Sequence, residues 1–194
     1  VRAIEGGSSF EAKEALSDFT LALGFAVFGI FMLIALLFNS YSQPLLVILS
    51  IPFALIGVVW AFFFHSEPFS FFVLLGVLAL VGVVVNDSLV MISHLNFIKQ
   101  SQDKDSSSIQ WIAMGAKDRL RAVILTTLTT LAGVLPLIYG FGGKDAFLQP
   151  MVMALGYGLL FGTFVTLILL PCLYSLNLDL INWIKKIKNS LLKT

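Results

Sequence analysis

The chain has 194 residues, 58% hydrophobic and only 12% charged, with a formal net charge of +1 and a mean hydropathy of +0.97. Soluble domains carry about 25% charged residues, so a water-soluble globular domain is excluded, and neither nucleic-acid binding nor enzymatic activity is expected. The composition predicts an all-α fold: a polytopic membrane bundle of about five transmembrane helices plus one cytoplasmic, interfacial amphipathic helix.

Residues 1–17 are polar and read as an extramembrane lead. Asp18 stands before the first apolar run, where it is placed to cap a helix. Span one is expected over residues 19–38. Asn39-Ser-Tyr-Ser-Gln-Pro44 is a polar turn, with Pro44 suited to a helix start. Span two covers 45–64 and includes Pro52, which should kink it. His65-Ser-Glu-Pro68 is the next turn, and Pro68 again suits a helix start. Phe19 to Ser66 contains no Asp, Glu, Lys or Arg, and a span needs about 20 apolar residues.

Span three covers 69–94. Asp87 is the only charged residue between Pro68 and Ile98. An ionised carboxylate at a span centre costs about 2.5–3.5 kcal/mol on insertion scales, so such residues mark protein interiors or ion paths. The bland alternative is that Asp87 only glues helices together. Ala79, Gly82, Asn86 and Ser93 share one side at helical spacing, and their small size suits close helix packing. Asp87 points about 100° away, in line with Gly76, Leu80, Val83 and His94. His94 and Asp87 are two turns apart, about 10.5 Å along the axis. That spacing makes no catalytic dyad.

Residues 95–121 form the one long polar connection. Ser106–Ser108 are expected caps of a short helix whose apolar face is Ile109, Ile112, Ala113 and Ala116, with Trp111 as an interfacial anchor. Span four covers 122–140 and carries Thr126, Thr127, Thr129, Thr130, Gly133 and Pro136. Most of these threonines are expected to bond their own helix carbonyls. Span five covers 147–176. Within it Ala154, Gly158, Gly162 and Thr166 recur every fourth residue, a small-residue stripe for close packing. Residues 18–178 are thus the bundle and 179–194 a basic tail, with Trp183 as anchor. Cys172 is an apolar filler inside the last span. No metal-ligand spacing is evident.

Lys99, Lys104, Lys117, Arg119 and Arg121 lie between spans three and four, and Lys185, Lys186, Lys188 and Lys193 follow span five. The positive-inside rule then places this connection and the C-terminus in the cytoplasm and the N-terminus outside.

Phe38-Asn-Ser-Tyr-Ser-Gln-Pro-Leu45, Ile51-Pro-Phe-Ala-Leu-Ile-Gly57, Gly82-Val-Val-Val-Asn-Asp-Ser-Leu-Val90 and Arg119-Leu-Arg-Ala-Val-Ile-Leu-Thr-Thr127 resemble the resistance–nodulation–division (RND) efflux transporters. Gly142-Gly-Lys-Asp-Ala-Phe147 and Leu169-Leu-Pro-Cys-Leu-Tyr174 fit the same pattern. The resemblance is to the hydrophobe/amphiphile efflux branch, with its AcrB-like multidrug pumps, and covers nearly the whole chain. It implies the last five spans of a twelve-span pump, residues 1–17 being the end of a periplasmic porter region. It further implies a homotrimer in the bacterial inner membrane, joined to a periplasmic adaptor and an outer-membrane channel. Drugs or other amphiphiles would leave by proton antiport, with the proton gradient as energy source and no bound cofactor.

The resemblance places the family's relay positions at Asn86, Arg119 and Thr126, and with the mid-span acid Asp87 these are the candidate proton relay; Gly82, Ala154, Gly158 and Gly162, by small size and spacing, are the candidate packing residues. In the family a Lys on this span pairs with two acids on another span; its matching position here is Asn86, and an acid, Asp87, follows. Ala122 stands where the family usually has Pro. The alternative reading is a non-transporting assembly or signalling module in which Asp87 only packs.

Overall fold

The computed structural model describes residues 2–101, 108–141, 143 and 145–191. All its regular elements are helical: α1 (Arg2–Phe38), α2 (Ser42–His65), α3 (Phe71–Ser101), α4 (Ser108–Ile138), α5 (Leu148–Phe164), a π-helical turn (Val165–Leu169) and α6 (Leu170–Leu191). Five segments are long and apolar enough to cross a membrane: Glu14–Phe38, Ser42–His65, Phe71–Gln100, Ile109–Ile138 and Leu148–Ile181. The last joins α5 and α6 through the π turn. Two compact units are present, residues 1–44 and residues 45–194.

The first unit is the long helix α1. It runs unbroken from Arg2, so the polar lead is helical and continuous with span one. Asp18 therefore lies in mid-helix and caps nothing. The helix closes at Asn39, which takes a left-handed conformation (φ 47°) while the Ser40 N–H reaches back to the Ala35 carbonyl at 3.3 Å. This closure satisfies a carbonyl that the helix end would leave bare.

The second unit is a bundle in which α5 packs on both α3 and α4, and α6 closes on α4. α2 joins through a shared core of Ala54, Val58 and Phe62 with Leu80, Val84 and Leu159. In lipid, tight contact rather than water exclusion holds helices together, and glycines set that contact here. A Cβ on Gly76 would strike the Met151 carbonyl. One on Gly158 would strike Leu80 and come within 2.8 Å of Val58. At Gly162 it would sit 3.0 Å from Val84. The structure thus sets the stripe Ala154–Gly158–Gly162 against α2 and α3, buried throughout.

α2 and α4 end as α1 does. Ser66 has φ 52°, and the Glu67 N–H bonds the Phe62 carbonyl at 3.3 Å. Gly140 has φ 70°, with the Phe141 N–H on the Pro136 carbonyl at 2.9 Å. Pro44 falls in the first turn of α2, whereas α3 begins three residues beyond Pro68. α5 starts where the Asp145 carboxylate accepts the Phe147 and Leu148 N–H groups at 2.8 and 3.0 Å. Those bonds, Leu148 first, hold the Asp145 pKa below its usual value. The π turn sits directly before Pro171. A proline has no N–H for the carbonyl four residues back, and the Leu170 N–H instead bonds Val165, five residues back.

The expected interfacial helix is not a separate element. α4 runs continuously from Ser108, and its first three turns extend span four. Trp111 and Ile112 are buried at 7% and 4% exposure, while Ile109 and Ala113 are exposed. The Trp111 ring meets Tyr174 edge-on at 6.1 Å, and a Cβ on Gly115 would come within 2.8 Å of Leu95. The face centred on Trp111 and Gly115 is therefore a protein contact. The expected caps Ser106 and Ser107, together with Lys104, Lys144 and Lys193, lie outside the described residues.

Candidate functional site

The α3 helix has two different long faces. Ala79, Gly82, Asn86 and Ser93 are all exposed, and a Cβ on Gly82 would meet nothing within 4 Å. Gly76, Leu80, Val84 and Ser88 are buried. Asp87 is half-buried at the border between them. Among the described residues no ion pair reaches it.

The α4 helix repeats the pattern. Thr126, Thr129 and Gly133 are exposed, and Gly133 also has open space where a side chain would be. Arg119 lies two turns before Thr126, so the two share a face. Arg119 is half-buried, and its Nε lacks a hydrogen-bond partner. The Thr126 hydroxyl bonds the Val123 carbonyl at 2.9 Å, within its own helix. The structure therefore brings none of Asp87, Asn86, Thr126 and Arg119 into hydrogen-bond or ion-pair contact with another of the four. It leaves Asn86, Thr126 and Gly82 on open small-residue faces.

The polar contacts that do cross between helices use other residues. Thr127, one position from Thr126, is buried at 4% exposure and lies 2.7 Å from the Thr163 hydroxyl of α5. Thr127 also reaches the Val123 carbonyl at 2.9 Å, and Thr163 the Leu159 carbonyl at 2.8 Å. Two hydroxyl protons serve these three contacts, and either hydroxyl can be the donor across the helices. Beside Asp87, the fully buried Ser88 lies 3.1 Å from Ser50 of α2. Ser50 donates to the Val47 carbonyl at 2.6 Å, so Ser88 donates to Ser50. This clasp fixes the α3 backbone next to the acid. Sequence reading passed over Ser50 and Ser88; their one signal was a lone hydroxyl inside an apolar run.

At the connection end of α3 and α4, His94 Nε2 faces the Asp118 carboxylate at 3.6 Å. The Tyr174 hydroxyl donates to Asn96 Oδ1 at 2.7 Å. These contacts tie α3 to α4 and α6 two or more turns beyond Asp87. The arrangement places an acid inside α3, a buried hydroxyl pair next to it, and an open face of small and hydrogen-bonding residues beside it.

Comparison with known proteins matches residues 3–177 to the AcrB/AcrD/AcrF family. The chain is 32% identical over 171 residues to the cobalt-zinc-cadmium resistance protein CzcA of Cupriavidus metallidurans, covering 88% of this chain and 16% of that protein. It is 26% identical over 174 residues to the multidrug resistance protein MdtC of Edwardsiella ictaluri, covering 90% and 17%. The crystal structure of a heavy metal efflux pump superposes with a TM-score of 0.73 at 25% identity, covering 86% of this chain and 16% of the pump. The chain thus spans about a sixth of the length of these relatives. With a match across almost all of its five helical spans, the chain belongs to the AcrB/AcrD/AcrF family of RND efflux transporters.

Proposed function

We propose that this chain is the proton-coupling membrane part of a longer RND pump, and that Asp87 is the group that takes up and releases the proton. The observation that carries the reading is the position of Asp87: the one charged side chain between Pro68 and Ile98, half-buried beside an open face. Coupling needs two conformations that prefer different protonation states of one group. Protonated Asp87 can sit against a dry helix surface; the ionised form requires water or a cation, because burial disfavours charge.

The open faces of α3 and α4 fit a further span from the rest of the pump. Asn86, standing where the family has its Lys, offers that span a neutral donor and acceptor instead of a charge. Arg119, on the same face of α4 as Thr126, is a candidate cation toward the cytoplasmic edge. The pump would sit in the bacterial inner membrane as a homotrimer with adaptor and outer-membrane channel, the connection 102–107 in the cytoplasm. Single cysteines at Ser66 and Ser101, after Cys172→Ala, should then label from opposite sides with an impermeant thiol reagent.

For cargo, similarity to MdtC supports drugs and other amphiphiles, while similarity to CzcA and to the heavy metal pump supports metal cations. The test is export by cells carrying the full-length protein, challenged separately with amphiphilic drugs and with divalent metals. Asp87→Asn should abolish resistance to whichever class the wild type exports, with trimer content unchanged. Full resistance in that variant would leave Asp87 a packing role.

A further inference from the structure

The last span is one apolar segment, Leu148–Ile181, yet its two halves are held in different ways. α5 is clamped on three sides. Gly156 presses on Ile138 of α4, Gly158 on Leu80 of α3, and Phe161 on Gly57 of α2, each so closely that a Cβ on the glycine would displace its neighbour. The Tyr157 hydroxyl adds polar contacts, 3.3 Å from His65 Nε2 of α2 and 3.0 Å from the Tyr139 hydroxyl just past α4. α6 contains no glycine. Past Pro171, its one buried side chain among those described is Tyr174. That residue donates to Asn96 at 2.7 Å and meets the Trp111 ring edge-on.

Between the clamped half and the lightly held half lies the π turn, Val165–Leu169. The Leu170 N–H bonds five residues back, and Pro171 has no N–H to offer, so the backbone ladder is weakest here. π turns are rare, and kinks and functional sites gather at them. The depth of the turn is set by the packing of α5 on α3. Gly76 faces Ala154, Leu80 faces Gly158 and Val84 faces Gly162. One more helical turn in this register brings Thr166, within the π turn, level with Ser88, the neighbour of Asp87. Both hydroxyl residues are buried, at 1% and 0% exposure.

We propose that the π turn is a hinge at which α6 swings against the clamped α5 during transport, the Tyr174–Asn96 bond holding its closed position. The swing parts α6 from α3 and α4 beyond the level of Asp87 and leaves the glycine contacts of α5 intact. The proposal rests on the reading of the chain as part of a transporter but not on proton uptake by Asp87: distances across the turn are measured whatever Asp87→Asn does to export.

The test uses the full-length pump in nanodiscs, with other cysteines replaced and spin labels at the exposed Leu148 and Leu180, one on each side of the turn. Labelled protomers are diluted with unlabelled ones, so that the distance within one chain is read. Tyr174→Phe, which removes only the latching hydroxyl, should raise the share of a second, bent-helix distance about three-fold, the ratio that one hydrogen bond between membrane helices gives. Deleting Ile168 together with Pro171→Ala should straighten the helix. A bond five residues back encloses one residue more than an α turn, so the deletion restores α-helix with Tyr174 still facing Asn96, and the substitution removes the ring that an α turn excludes. Ile168 is 65% exposed, so little packing is lost. The straightened pump should give one narrow distance with or without Tyr174→Phe, and export about ten-fold more slowly with trimer content unchanged. A distance in the wild type that Tyr174→Phe does not move, or wild-type export by the straightened pump, would overturn the proposal. The Tyr174→Phe distances decide alone should the straightened pump not assemble.

Discussion

The two faces of α3 differ in what a single added carbon would do. On the closed face, a Cβ at Gly76 collides with backbone, and one at Gly158 of α5 collides with Leu80. On the open face, the same carbon at Gly82 meets nothing. Both faces are rich in small residues, so composition alone does not distinguish them. The closed face has its partner within this chain; the open face would take the further span proposed from the rest of the pump, and Asp87 sits on the border.

The largest expected effect comes from filling the closed face. Gly158→Leu should cost 3 kcal/mol or more, because overpacking a tight contact typically costs about 1–3 kcal/mol and this one is already closed. Loss of folded protein in detergent, measured by thermal unfolding, checks it. Gly82→Leu should leave the unfolding of the chain expressed alone within about 0.5 kcal/mol of wild type, as surface changes do, yet disrupt assembly of the full-length pump. Equal damage from both substitutions in the isolated chain would erase the distinction between the faces.

A finer contrast lies one residue apart on α4. Thr127→Val removes a buried bond to Thr163 and should cost about 0.6 kcal/mol, the mean for hydrogen bonds between membrane helices, and no more than about 1.7 kcal/mol. Thr126→Val removes a bond within its own helix and should cost less than about 0.5 kcal/mol. Chemical unfolding of the two variants side by side gives the answer. A reversed order would mean that the buried hydroxyl pair is not a clasp.

Smaller effects belong to the helix ends. Ser66→Gly relieves a left-handed conformation that costs other residues roughly 1 kcal/mol and should raise the unfolding temperature slightly. The Asp145 carboxyl has a lowered pKa in the folded chain. Its contribution is present above the ordinary carboxylate pKa and disappears as pH falls through the lowered one. Asp145→Asn should therefore flatten the acid side of the stability profile below pH 4, with little change at pH 7. An unchanged acid limb would show that the cap is not coupled to folding.

The five spans were legible because apolar runs of this length have no other use. The boundary of span four was not. The charges Lys117, Asp118, Arg119 and Arg121 read as leaving the membrane, but a helix does not end where polarity begins, and Trp111 and Gly115 continue the same packed face. Asp18 misled in the same way, since a capping residue type carries no signal of whether the helix has already started. The mid-span acid was visible as a charge without company. The direction each threonine faces was not, because Thr126 and Thr127 differ only in which neighbour occupies the adjacent space. The His65–Tyr157–Tyr139 chain joins residues up to 92 positions apart, a proximity that only the folded bundle creates.

The central claim, that Asp87 titrates to drive export, is tested most directly by proton flux in proteoliposomes of the full-length pump. An internal pH dye reports proton movement on addition of an exported compound, for wild type and Asp87→Asn. The substitution preserves shape and hydrogen bonding but removes the titratable charge. Substrate-dependent proton flux in the wild type that falls to background in the variant, with assembly intact, is the predicted result; equal flux in both would contradict it.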